Sequence, residues 1–474
     1  MNRLDHHVLL FWSAAFPDHP KSGAPSLKTL EPRRRAITGE MPPPRRRRCK
    51  KRRRLTDVAA AEADALISLP ADVLDVILTR LDLRDAVRTS ALSRAWRYRW
   101  EALPSLDLHF PRLKDDEGAP KGLRAVDGIL LRCPGRIRRF CVFLDKPYAA
   151  RIHDWLLVLS RRGVEALHIS SIDGFLALPS SLFTCGRLTS LSLFRCAIPP
   201  LPPGFQGLRE LRNFTLINVQ LQKKGGYQLE KIIATSPSLE ELTLWDVTIR
   251  GRFKEWVIQA SNLRFLKICS ADDYGWNLGD LPRLDYAVID IWDYLGGDCD
   301  YSKFLSRLAN VTKLCIYTCH SLSNGANMLE ELPCTFVNLK NLTLYTHFCE
   351  LPSILSTFCL LRNAPNLERL KILIYYGEEQ KFEANREFQD AQCSDCMCAN
   401  LQVVKMTGIH WHSNEMSFME LILSKARLLR TLSISYDEEC ATSNEGALKK
   451  LQKYKKASTH AKVIFKGKAG SYQE

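Results

Sequence analysis

No stretch of this chain approaches the roughly 20 consecutive apolar residues that a membrane-spanning helix needs. The apolar run near the start, Val8 to Phe16, is short, lies close to Asp5 and leads into basic, proline-rich sequence where a secretory signal has a cleavage site. A nucleophile elbow, a P-loop, an H-E-x-x-H pair and a glycine-rich phosphate cradle are all missing, so catalysis by this chain is not expected. Cysteine is plentiful at 16, yet without the spacing of a disulfide framework; these residues read as small buried hydrophobes in a reducing compartment. Acidic residues are scarce in one segment. Glu31 to Arg54 holds twelve Lys or Arg against two Glu, which places +10 of the formal +15 in a single tail. A charge excess confined to a tail is not the electrostatic footprint of a folded nucleic-acid-binding domain.

What the chain has in abundance is one repeated pattern, apolar-x-x-apolar-x-apolar. It occurs at Ile137/Phe140/Val142, Val164/Leu167/Ile169, Leu188/Leu191/Leu193 and Leu211/Phe214/Leu216. It continues at Leu239/Leu242/Leu244, Leu263/Leu266/Ile268, Leu284/Ala287/Ile289 and Val311/Leu314/Ile316. The last four are Leu339/Leu342/Leu344, Leu367/Leu370/Ile372, Leu401/Val404/Met406 and Leu429/Leu432/Ile434, and successive starts lie 21 to 34 residues apart. Twelve in register is the period of leucine-rich repeats, each laying one strand on a parallel sheet and returning by a helix or irregular segment. A single repeat cannot cover its own apolar face, so stacking makes the core. Cys196 and Cys319 fall three residues after a last apolar position, where a small buried side chain is wanted. Tyr227 to Ala234 and Ser353 to Ala364 read as helical returns ending before Pro237 and Pro365, and the widest gap, Gly377 to Ala399, reads as an inserted loop.

Ahead of the repeats lies LPADVLDVILTRLDLRDAVRTSALSRAWRYRW, residues 69–100. Val73, Leu74, Ile77, Leu78 and Leu81 share one helix face, with Pro70 just inside the helix start. A second helix is expected over Leu83 to Ser90 behind Asp82, and a third from Ser93 carrying Trp96 and Trp100. Leu106 to Phe110 alternates as a strand. Three short helices cannot bury enough surface to stand alone.

This stretch resembles the F-box in its plant-type spelling, through Leu69-Pro70, then Ile77, Leu78 and Leu81, then the ending Leu92-Ser93-Arg94-Ala95-Trp96-Arg97-Tyr98-Arg99-Trp100. Ala95 departs from the basic residue common there. A second resemblance, to the FBD domain of plant F-box proteins, runs through Asn363 to Leu370, Cys398 to Val404, Ser424 to Leu429 and Tyr454 to Phe465, with Lys456-Ala457-Ser458 where Arg-Ala-Ser is usual. The resemblance implies an α/β chain: a three-helix F-box followed by a leucine-rich-repeat solenoid with its parallel sheet on the concave face, and FBD-type C-terminal repeats. The expected divisions are a disordered basic tail at 1–64, the F-box at 65–110, leucine-rich repeats at 111–350, FBD-like repeats at 351–466 and a short tail at 467–474. It further implies the substrate-recognition subunit of an SCF-type cullin–RING ubiquitin ligase. Leu69, Pro70, Ile77, Leu78, Leu81, Val87, Leu92 and Trp96 would meet the Skp-type adaptor, which links to cullin and the RING protein. Trp96 and Leu78 would be the energetic centres. The plainer reading is that the same residues only pack the helices together.

On the repeats, the residue after each last apolar position points outward from the sheet. Phe143, Phe194, Trp245, Tyr317 and Tyr345 form a discontinuous aromatic stripe in that column, expected to hold a protein substrate unless loops cover it. Arg139, Lys267, Lys313, Arg369, Lys371 and Lys405 against Glu241 and Asp290 make the face mildly basic, which suits an acidic or phosphorylated partner or is merely a solvated face. The blocks Arg33-Arg34-Arg35 and Arg45, Arg46, Arg47, Arg48, Lys50, Lys51, Arg52, Arg53 and Arg54 resemble a nuclear localisation signal, so a nuclear chain is expected. The alternative function is a nuclear scaffold or nucleic-acid-associated protein using this Arg-rich tail without substrate degradation. Met41 opens MPPPRRRRCKKRRR, itself a plausible start, so residues 1–40 are read as an extension; endogenous tryptic peptides from residues 4–33 would refute this. Cys393, Cys396 and Cys398 with His410 and His412 lack a second pair at zinc spacing, so neither metal nor cofactor is expected.

Overall fold

In a computed structural model of the chain, the described residues are 70–81, 83–92, 96–102, 105–110, 121–132, 135–144, 150–172, 174–221, 225–249, 256–270, 276–291, 301–317, 332–374, 383–392, 397–436 and 444–467. The basic tail and Cys319 lie outside them. The repeated spacing puts its first apolar residue in the turn before a strand and the next two on one side of that strand, since strand residues alternate faces. No residue of the twelve triples is more than 5 % exposed.

Fourteen strands form one sheet in chain order. They are β1 Ser105–Phe110, β2 Arg136–Leu144, β3 Ala166–Ser171, β4 Ser190–Phe194, β5 Asn213–Ile217, β6 Glu241–Trp245 and β7 Phe265–Ser270. Then follow β8 Tyr286–Ile291, β9 Lys313–Tyr317, β10 Asn341–Thr346, β11 Arg369–Ile374, β12 Val403–Ile409, β13 Thr431–Tyr436 and β14 Lys462–Gly467. Each pairs with the next in parallel, and the triples stay in register: Leu191 faces Phe214, Phe214 faces Leu242, and Leu370 faces Val404. The fold is therefore an open leucine-rich-repeat solenoid. β1 is the first strand of this sheet although it lies within the segment assigned to the F-box.

Two residues beyond the last apolar position, Arg195, Asn218 and Asp246 take φ of 52°, 51° and 47°. This left-handed corner turns the chain into a second, four-stranded sheet built from Leu176–Ala177, Cys196–Ile198, Gln220–Leu221 and Thr248–Ile249. Cys196 is fully buried there, as its position in the repeat requires. At Gly408 the left-handed conformation (φ +78°) coincides with a β-bulge in β12, and a Cβ would lie 2.5 Å from the Ile374 carbonyl oxygen.

Ten helices accompany the strands: α1 Ala71–Thr79, α2 Leu83–Arg88, α3 Lys121–Arg132, α4 Ile152–Arg161 and α5 Gly225–Ala234, then α6 Tyr301–Ser306, α7 Leu351–Arg362, α8 Asn385–Gln392, α9 Ser413–Lys425 and α10 Asn444–Lys453. α5 and α7 are the two expected returns, each beginning two residues earlier than the apolar pattern indicates. α8 lies inside the widest gap, where a loop was expected. Its sequence, NREFQDAQ, buries only Phe388 and Ala391, too little apolar periodicity to announce a helix.

Side chains fasten each turn to its neighbour. Asn262, Asn366 and Asn400 each precede the first apolar residue of a repeat and donate to a carbonyl of the preceding one, Pro237, Val337 and Pro365, at 2.8, 2.8 and 3.0 Å. At the start of α9, Asn414 is buried; it donates to the Phe348 carbonyl at 2.9 Å and accepts from the Ala384 N–H at 3.0 Å. Its neighbour Glu415 accepts from the N–H groups of His410 and His412 at 3.0 and 3.1 Å.

Burial raises the Glu415 carboxyl to about 7 from an ordinary 4.5, although those N–H donors pull the other way. The native state therefore keeps its proton above the pH at which the unfolded chain releases it, and stability falls as pH rises from about 4.5 through 7. Glu415→Gln, which keeps an acceptor oxygen but not the titration, is expected to lack that decline. Its advantage over the wild type should grow by up to roughly 3 kcal/mol across the window. Denaturant titrations at pH 4.5, 6 and 8 measure it; parallel profiles for the two proteins would refute it.

Candidate functional site

At the N-terminal end, Pro70 is the residue capping α1, not its first helical residue; its carbonyl accepts the N–H groups of Val73 and Leu74 at 3.1 and 3.2 Å. α2 ends at Arg88 and continues as a 3-10 turn, Thr89–Ala91. The expected third α-helix is instead a turn at residues 96–98 and a 3-10 helix, Arg99–Ala102. The Ser90 hydroxyl donates to the Arg97 carbonyl at 3.0 Å and closes this end against α2.

The apolar residues here separate into two sets. Leu74, Leu78, Ala86, Trp96 and Trp100 are buried and belong to the same continuous core as the repeats. α2 packs on β1, so this core anchors the helices on the first turn of the solenoid. Val73, Val76, Ile77, Leu81, Val87 and Leu92 point the other way and are 36 to 55 % exposed. Leu78 at 1 % and Trp96 at 4 % are therefore not on an outer face, contrary to the sequence expectation. Neighbours on an apolar helix, Ile77 and Leu78 point to different sides, and the spacing of three and four admits either as the inner one. Pro70, Ile77, Leu81, Val87 and Leu92 are exposed; Leu69 lies outside the described residues.

Along the concave sheet, three outward residues per strand form three columns. The aromatic stripe occupies the third: Phe143 faces Ser170, Phe194 faces Ile217, Ile217 faces Trp245, and Tyr317 faces Tyr345. None of the five aromatics is freely exposed; all are half-buried. The Arg195 guanidinium lies 5.2 Å from the Phe194 ring centroid, and the Lys267 ammonium 4.5 Å from that of Trp245. Tyr317 and Tyr345 stack at 3.9 Å with an interplanar angle of 2°. Phe143 leans on His109 and His168; burial, with His109 adding to it, pushes His168 down to about 3, so its ring stays neutral. The stripe is thus a set of braced platforms, not a row of loose anchors.

Cys393 and Cys396 lie outside the described residues, and the Cys398 thiol is buried and pushed up to about 12 by that burial. His410 and His412 stack on one another at 5.8 Å. Among the described residues no three His, Cys, Asp or Glu side chains assemble as a metal set, and no helix is long and apolar enough to cross a membrane. The basic segment Arg45 to Arg54 lies outside the described residues.

Residues 66–107 match the family described as F-box domain, and residues 152–372 match the family described as FBD-associated F-box protein At5g56370, LRR repeats. The chain is 28 % identical over 424 residues to the F-box/FBD/LRR-repeat protein At1g13570 of Arabidopsis thaliana, covering 85 % of this chain and 98 % of that protein. F-box/FBD/LRR-repeat protein At2g04230 is 25 % identical over 410 residues, with 78 % and 89 % covered. F-box/LRR-repeat protein 13 is 26 % identical over 459 residues, with 85 % and 96 % covered, both again from Arabidopsis thaliana.

Proposed function

The chain belongs to the plant F-box/FBD/LRR-repeat proteins, and from that premise we propose that it is the substrate-recognition subunit of an SCF-type cullin–RING ubiquitin ligase. The observation that carries this reading is the outward apolar set of Ile77, Leu81, Val87 and Leu92, held rigid by the inward set of Leu74, Leu78, Trp96 and Trp100. Exposed apolar side chains gathered on a supported surface mark an interaction site, and the F-box family supplies its occupant, a Skp-type adaptor. The chain contributes no catalytic group. Its work is proximity: one end tethers it to the ligase while the concave face holds a protein substrate near the charged conjugating enzyme. The Arg-rich segment supports a nuclear site of action.

Affinity purification from the source tissue with the proteasome blocked tests this reading. Adaptor, cullin and RING protein should co-purify, together with proteins whose recovery rises when degradation stops. A chain that brings down no adaptor refutes the reading, and one that brings down adaptor but no stabilised protein is a scaffold instead.

A further inference from the structure

Charges on the sheet are paired across neighbouring strands almost wherever they occur. Arg138 meets Asp107 at 2.9 Å, Arg212 meets Glu240 at 3.2 Å, Lys313 meets Asp285 at 3.6 Å, and Lys340 meets Glu368 at 3.3 Å. One place breaks the pattern. Lys371 on β11 and Lys405 on β12 sit directly opposite one another in register, with Arg369 two residues before Lys371 on the same face. None of the three forms an ion pair among the described residues, and the row continues on either side with uncharged hydroxyls, Thr343 and Ser433. Like charges on directly opposed strand residues destabilise a sheet, so this cluster costs the fold something that no internal counter-charge offsets. An external anion offsets it.

The geometry points to an acidic, carboxylate-rich, extended segment of a protein partner lying across β10 to β12, with the Tyr345 platform as its apolar seat. Tyr345 pairs with Leu373 on β11, two residues beyond Lys371, so the stacked tyrosines adjoin the cations on the same face. Neighbouring strands lie roughly 4.8 Å apart and alternate residues of an extended segment roughly 6.8 Å apart, so successive outward carboxylates can each reach a different cation. The cations are laid out in a row, and the strand amides beneath them are spent in the parallel ladder. A single phosphate would find neither convergent arginines nor free backbone N–H groups there. This assignment rests on reading the concave face as the capture surface, and is independent of whether the other end binds an adaptor.

A selection from a random 12-residue peptide display library on the purified full-length chain, with no adaptor present, tests it. The enriched pool should hold several-fold more Asp and Glu than the input, and binding of its members should fall steeply with added salt. A chain carrying Arg369→Ser, Lys371→Ser and Lys405→Ser should lose that enrichment while melting at the same or a higher temperature. If the triple variant does not fold, Lys405→Gln alone, at an exposed position, should weaken binding of the selected peptides at least threefold. Three outcomes overturn the proposal: no acidic enrichment, enrichment that survives the substitutions, or binding only when a selected peptide's central Glu is replaced by phosphoserine. Tighter capture of an oligonucleotide than of the selected peptides overturns it too. A chain that never binds an adaptor would still select acidic peptides, so the two readings fail separately.

Discussion

Ile77→Arg together with Leu81→Arg is expected to abolish co-purification of a Skp-type adaptor, a loss of at least 100-fold or about 2.8 kcal/mol of binding energy. The thermal midpoint of the same protein should hardly move. Both side chains lie on the exposed side of the N-terminal helices, where substitution usually changes stability by no more than about 0.5 kcal/mol. The neighbouring substitution separates the two roles. Leu78→Arg buries a guanidinium where 1 % of the side chain sees solvent, and should cost more than about 4 kcal/mol of fold stability at that end. Loss of adaptor in Leu78→Arg or Trp96→Ala would therefore say nothing about the interface. Thermal melts and gel-filtration co-elution on both variants check the pair. Retained adaptor with Ile77→Arg/Leu81→Arg would place the interface elsewhere.

The second large effect is expected at Asn414. Its amide is 2 % exposed and joins the Phe348 carbonyl, 66 residues earlier, to the Ala384 N–H, 30 residues earlier. Asn414→Leu leaves both backbone groups buried without their partner, and each such orphan costs about 1–3 kcal/mol. In a stack where each turn leans only on its neighbours, that loss weakens coupling locally before it weakens the whole. Unfolding should split into two transitions, with amides of α9 and β12 losing hydrogen-exchange protection first and those of β4 to β7 unchanged. A single cooperative transition shifted by less than about 1 kcal/mol would count against the clasp.

Much of this architecture could be read from the residues alone. Twelve triples at a steady period leave one way to bury them, and each sits where the spacing puts it. The second sheet could not be read, because its strands include two-residue pieces such as Gln220–Leu221, which carry no period, and its corners use Arg195, Asn218 and Asp246 in place of the glycine that would have marked them. The inner and outer sides of α1 were equally illegible: Ile77 and Leu78 are chemically alike, and only the position of Trp96 and Trp100 against the first turn decides which is inward. On the concave face, sequence identified the aromatic column but not its bracing, since Arg195 over Phe194 and Lys267 over Trp245 depend on which residues become strand neighbours. The uncompensated cations were hidden in an average: only register shows that Lys313 has Asp285 while Lys371 has Lys405.

The unbroken parallel ladder from β1 to β14 also works as a ruler. Each strand advances the face by roughly 4.8 Å, so a segment seated at β11 is held about 48 Å along the sheet from β1, beside the end that meets the ligase. Inserting or removing a repeat between them would shift a captured lysine by one such step without altering either contact surface. Which lysines of a target come within reach is thus set by where along the ladder it is caught.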